Sequence, residues 1–214
     1  MKLFVIVVVL SAMNAFVYAA DPDPLTDFAT GVKSFTLRDL FTNGDVSVDT
    51  GGVRAATSVA KFPAAESQGL EYVRFKMVPC GVNLPHTHPR ASEMLTLISG
   101  GPLQVGFVDT QGQTFIDILH PGDVTIFPRG VLHFELNVGS KEANYISALN
   151  SQNPGVLTSS VSILKLPLRS VATAFNISQH AVKKLDSTIF ASGTGLKKTS
   201  TSGCVPGRDI TVDF

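Results

Sequence analysis

The chain has no tryptophan and only two cysteines, Cys80 and Cys204, in 214 residues. One pair of thiols cannot make a disulfide scaffold, so a hydrophobic core must hold the fold. Charge is scarce too: Asp, Glu, Lys and Arg make up 16% of the chain, and 17 basic side chains balance 17 acidic ones. That balance leaves no electrostatic footprint for nucleic acid or for an acidic partner. Beyond the first residues no apolar run reaches the roughly 20 residues that a membrane span needs.

The N-terminus carries Lys2, an apolar run at 3–10 (LFVIVVVL) and small residues at Ala19-Ala20. This layout predicts a secretory signal peptide over residues 1–20, and the breaks at Ser11 and Asn14 make it too short for an anchor. About 195 residues then remain, enough for one domain with a sizeable core, assigned here to residues 21–190. A Gly-, Ser-, Thr- and Lys-rich tail, residues 191–214, is expected to pack loosely. In an oxidising compartment Cys80 and Cys204 either pair and pin this tail, or Cys80 stays reduced as a small buried residue. Asn176-Ile177-Ser178 is an N-glycosylation sequon.

Fourteen phenylalanines with many Val and Thr favour strands. From Phe35 to about Ser162 short alternating runs such as Tyr72–Val78, Glu93–Ile98, Leu103–Val108, His133–Val138 and Asn144–Leu149 are separated by turn residues. Gly100-Gly101-Pro102, Pro121-Gly122-Asp123 and Gly139-Ser140 are examples. Such spacing predicts an antiparallel sandwich or barrel. A short helix is expected over Pro167–Phe175. A second, capped by Ser178, is expected over Gln179–Phe190 with an apolar stripe of Ala181, Val182, Leu185 and Ile189. That stripe predicts contact with another subunit, and so a homo-oligomer.

Two segments carry the chemistry: CGVNLPHTHPRASEMLTLISG at 80–100 and GDVTIFPRGVLHFELN at 122–137. His86 and His88, two apart on an extended strand, project from one face. Glu93 lies at an odd offset from His88, but Pro89 interrupts the ladder, and a turn there brings Glu93 back on a neighbouring strand facing the same interior. His133 follows the turn Pro128-Arg129-Gly130 and starts a strand beside the pair. Three imidazoles and one carboxylate inside a barrel make a metal site with coordination positions left open. His120, Arg90, Arg129 and His180 read as rim or surface residues, and Phe107, Phe115, Phe127 and Phe134 as core or lining.

These segments resemble the two-part cupin signature. His86, His88, Glu93 and Gly100 fit the first box, with Cys80 where it usually opens on Gly. Gly122, Pro128, Gly130, His133 and Asn137 fit the second. With DPLTDF at 23–28 and ALNSQNPG at 148–155, the chain resembles germins, germin-like proteins and spherulins. The resemblance implies an all-β jelly-roll barrel with short C-terminal helices, and manganese held by His86, His88, Glu93 and His133. It also implies assembly from dimer up to hexamer. The disulfide of plant germins is missing, since Ala29 stands at one of its positions.

Three readings of function stay open. The site can serve a redox enzyme acting on superoxide or another small anion, or a non-catalytic protein of a wall, spore coat or reserve store braced by the metal. A carbohydrate- or hormone-binding module is the third. Oxalate-oxidising germins are expected to use two asparagines beside the metal. Asn83 matches one as a substrate-binding residue, whereas Val73 stands at the other, which predicts weak oxalate oxidation.

Overall fold

A computed structural model describes residues 31–189, 195–199 and 204–208. Its strands are β1 (Asp45–Asp49), β2 (Gly52–Ala56), β3 (Glu71–Met77), β4 (Gly81–Thr87), β5 (Glu93–Val108), β6 (Thr114–Leu119), β7 (Val124–Phe127), β8 (Leu132–Leu149), β9 (Leu157–Thr158) and β10 (Leu196–Lys198). The helices are α1 (Leu40–Asn43), α2 (Ser159–Leu164), α3 (Leu168–Ala174) and α4 (Gln179–Ile189). No helix among the described residues is long and apolar enough to cross a membrane.

All pairings are antiparallel, and β5 and β8 organise them. Along almost its whole length β8 pairs with β5, from Val108↔Leu132 to Glu93↔Leu149. On its other edge the C-terminal half of β8 pairs with β3 and the N-terminal half with β4. One layer therefore runs β1, β2, β3, β8, β5, β7, and the other β10, β4, β8, β5, β6. The two long strands pass from one layer to the other, which closes the sheet into a jelly-roll barrel.

The sequence pattern places turns at Gly100-Gly101-Pro102 and Gly139-Ser140. The structure instead bends continuous strands at both points, with register shifts between Leu97 and Leu103. Glycine is what permits this crossing. Gly100 sits at φ 77°, and a Cβ there would lie 1.7 Å from the Glu142 carbonyl oxygen. The same distance would separate a Cβ on Gly139 from the Gly101 oxygen. Asn137 braces the bend, donating through Nδ2 to the carbonyls of Met77 (2.9 Å) and Lys141 (2.8 Å) while its Oδ1 accepts from Gly139 N–H.

Alternation decides what faces inward. On β3, Glu71, Val73, Phe75 and Met77 are buried, and Tyr72, Arg74 and Lys76 face out. Phe75 stacks on Tyr145 at 4.4 Å between ring centres, and the core continues through Leu95, Leu97, Leu103 and Val105. Phe127 is core, but Phe115 lies 42% exposed, stacked on Phe107 from outside.

The expected helix over Pro167–Phe175 is α3, and Ser178 Oγ caps α4 by accepting from Ala181 N–H at 3.1 Å. The stripe on α4 needs correction. Val182 is 2% exposed and packs within the chain against Val171, Ala172 and Leu168, so it is not available to another subunit. Leu185 stays 44% exposed, and the side chain of Ile189 lies outside the described residues. The described part of the C-terminal stretch is not loosely packed: β10 joins β4, and Cys204 is bonded to Cys80. The expected signal peptide and Ala29 lie outside the described residues.

Candidate metal centre

His86 lies on β4, His88 is the first residue beyond it, Glu93 opens β5 and His133 stands near the start of β8. The turn at 88–92 reverses the chain as Pro89 requires. It does not, however, deliver Glu93 to the strand adjoining β4. The strand between them is β8, with His133 opposite both His86 and Phe107, and Glu93 opposite Leu149 and Phe127. All four side chains are buried, and one donor atom from each lies within 4.8 Å of the others.

The rings are oriented by backbone carbonyls. His86 Nδ1 meets Leu84 O at 2.8 Å, His88 Nδ1 meets Gly155 O at 2.6 Å, and His133 Nδ1 meets Val131 O at 3.0 Å. A carbonyl only accepts, so each Nδ1 carries a hydrogen, and Nε2 is the atom each ring turns toward the centre of the site. Two of these Nε2 atoms face a carboxylate: Glu93 Oε2 is 3.1 Å from His88 Nε2 and 3.5 Å from His133 Nε2. Acceptors so placed need a cation between them, either protons on the rings or a metal ion. Phe127 stacks on His133 at 4.4 Å and closes one side against water.

The ionisation pattern suits ligands. Burial first, and then the neighbouring His133 and His88, hold the His86 pKa down to about 3, against the pull of Glu93. The ring is therefore neutral and ready to donate at ordinary pH. Burial pushes Glu93 up, but the adjoining His133 and His88 outweigh it and keep the carboxylate well below its usual range. Three nitrogens and one carboxylate oxygen, buried and preoriented, fit a divalent transition metal, and the donor set alone does not choose among several.

Beside the donors lies a cavity of about 480 Å³, lined in part by Arg54, Glu71 and Asp45. Asn83 and Val73 both line it, as do Ser147 and the loop around Gly155. Arg54 faces Glu71 at 3.5 Å, yet burial raises the Glu71 pKa more than that cation lowers it. Arg90 is exposed, as a rim or surface residue should be. It donates to the Asn153 carbonyl at 2.5 Å and to Asn153 Oδ1 at 2.8 Å, and so holds the loop that carries Gly155. His120 stands 69% exposed beside Asp123 in a turn, and His180 and Arg129 are also exposed.

A cupin family model matches residues 39–183. Germin-like protein subfamily 1 member 16 of Arabidopsis thaliana is 34% identical over 85% of this chain and 92% of its own length. The chain belongs to the germin-like proteins of the cupin family. A germin-like protein of Mesembryanthemum crystallinum is likewise 34% identical, over 73% of this chain and 78% of that relative. Among solved structures, an oxalate oxidase superposes with a TM-score of 0.69 at 26% identity, covering 81% of this chain and all of the other.

Within this germin-like barrel one buried carboxylate escaped the motif. Glu135 is fully buried, two residues beyond His133 on the same face of β8 and opposite Asn83, and no hydrogen bond of good geometry reaches its oxygens. Strand alternation from His133 is the signal that would have found it. Burial, reinforced by the charge on Glu93, raises its pKa well above the ordinary value of 4.5, with Asn83 opposing. A raised carboxyl pKa favours the fold fully below pH 4.5, and the benefit is lost as pH rises and the unfolded chain releases its proton. In metal-free protein, Glu135→Gln should therefore raise the melting temperature at pH 8, by about 2–4 °C per kcal/mol recovered. Thermal denaturation at pH 4 should show the difference gone, and equal melting at pH 8 would contradict the assignment.

Proposed function

We propose that this germin-like protein is secreted and binds one manganese ion through His86, His88, Glu93 and His133, and that the bound ion dismutes superoxide. This reading is carried by the convergence of three Nε2 atoms and the Glu93 carboxylate at one buried point beside a cavity. Manganese in particular rests on the family resemblance, since imidazole and carboxylate suit several metals. Secretion is supported by the leader-like N-terminus together with the Cys80–Cys204 disulfide. Assembly into an oligomer also rests on the family.

When bound, a manganese ion that alternates between divalent and trivalent states supplies one-electron chemistry. The chain's own residues do the rest. Carbonyls of Leu84, Gly155 and Val131 fix the imidazoles, Phe127 and Leu149 exclude water, and the cavity admits a small anion past Arg54. A second reading, in which the metal only braces an extracellular wall, spore-coat or storage protein, draws on the depth at which all four donors are buried.

Manganese-loaded protein should carry one ion per chain by elemental analysis and should accelerate superoxide decay. His88→Ala should lose most of the metal, the activity, and the stability that the ion confers by mass action. A full complement of metal in that variant would overturn the ligand set. Loaded wild-type protein that leaves superoxide untouched would favour the bracing reading.

Oxalate should be a poor substrate. Val73 is 3% exposed and lines the cavity with Asn83, so it offers methyl groups where a dianion needs a donor. The missing bond costs about 1–3 kcal/mol, or about ten- to hundredfold in rate if it forms in the transition state. Peroxide release from oxalate should be slow and should rise in Val73→Asn. Rapid turnover by the wild-type protein would contradict this.

A further inference from the structure

The cupin match ends at residue 183, yet the chain returns to the barrel beyond it. β10 runs antiparallel to β4, with Leu196 opposite Asn83 and Lys198 opposite Gly81. Leu84 N–H donates to Gly195 O at 2.7 Å, and Thr199 N–H donates to Cys80 O at 2.9 Å. Lys197 Nζ reaches Asp49 Oδ2 at 2.7 Å, and Leu196, 3% exposed, belongs to the same core as Val73 and Phe75. Beyond the strand, Cys204 is covalently tied to Cys80, the residue before β4, and Gly207 N–H donates to Val138 O.

This strap is part of the site. Gly195 and Leu196 line the cavity together with Asn83, His86, His88 and Glu93. A side chain on Gly195 would start 3.4 Å from Asn83 Oδ1 and 3.5 Å from Thr158 Oγ1, in ordinary contact and with no backbone strain. Glycine there is thus required by neither conformation nor packing, and it leaves space beside Asn83.

We propose that residues 195–199, clipped by Cys80–Cys204, are the specificity-determining wall of the metal cavity and set the size of anion that reaches the metal. The proposal rests on the metal-site reading. β9 covers β4 only at His86 and Thr87, so without the strap the edge over Gly81–Asn83 would be open and the cavity would lose its wall beside Asn83. The clip matters because β10 has three residues and few ladder bonds of its own, and a covalent tie at residue 204 keeps it near β4.

The test uses full-length protein loaded with cobalt(II), whose visible spectrum reports ligands at the metal, titrated with azide and with 2-naphthoate. Gly195→Phe should weaken 2-naphthoate about fivefold or more relative to azide. Cys204→Ser and Leu196→Ala should each strengthen it by a similar factor relative to azide. An azide-to-naphthoate ratio that stays constant across the three variants would overturn the proposal. Amide exchange in metal-free protein separates the two readings: Cys204→Ser should cut protection of Leu84 N–H about tenfold. Unchanged protection would show that the disulfide does not hold the strap. Wild-type protein that takes up no cobalt would sink the metal reading and the wall's role with it, while exchange would still decide whether the strap is clipped.

Discussion

Lone pairs aimed at one point repel one another unless a cation lies between them, and inside this barrel four donors converge on such a point. Much of the surrounding structure serves that convergence. Three backbone carbonyls hold the Nδ1 hydrogens so that the Nε2 atoms face inward. One of them, Gly155 O, is itself held by Arg90 gripping Asn153. The strand crossing at Gly100 and Gly139 lets β8 bring His133 between β4 and β5.

Burial makes the same site costly without its ion. His86 folded is a neutral ring with a pKa near 3, so between roughly pH 3 and 6.5 the unfolded chain binds a proton that the fold refuses, and stability rises with pH. Glu135 and Glu71 work in the opposite sense above pH 4.5, since burial keeps their protons on. The barrel thus encloses an acid-sensitive imidazole and two reluctant carboxyls within one small volume. A bound cation would offset some of that cost by favouring the ionised carboxylates and the neutral rings.

Much of the site was legible in the sequence because its spacings are local. The two-residue step from His86 to His88, the break at Pro89 and the turn before His133 each follow from strand and proline geometry. What escaped was non-local. Nothing in the residues says that β8 intervenes between β4 and β5, or that glycine pairs bend strands here instead of ending them. Val182 reads as a free apolar stripe because its partners, Val171 and Leu168, lie in another helix. The tail reads as loose because its composition is polar, while a single disulfide and three residues of β-ladder decide its place. Glu135 was within reach through alternation, but a carboxylate with no hydrogen bond of good geometry in a core is not what the pattern leads one to expect.

If one ion sits among these particular donors, pulsed EPR of manganese-loaded protein will detect the nitrogens around it. Nitrogen couplings from three imidazoles are expected, with one of them lost in His133→Ala. Bound manganese with no nitrogen coupling, or with couplings that the His133 variant leaves intact, would contradict that placement.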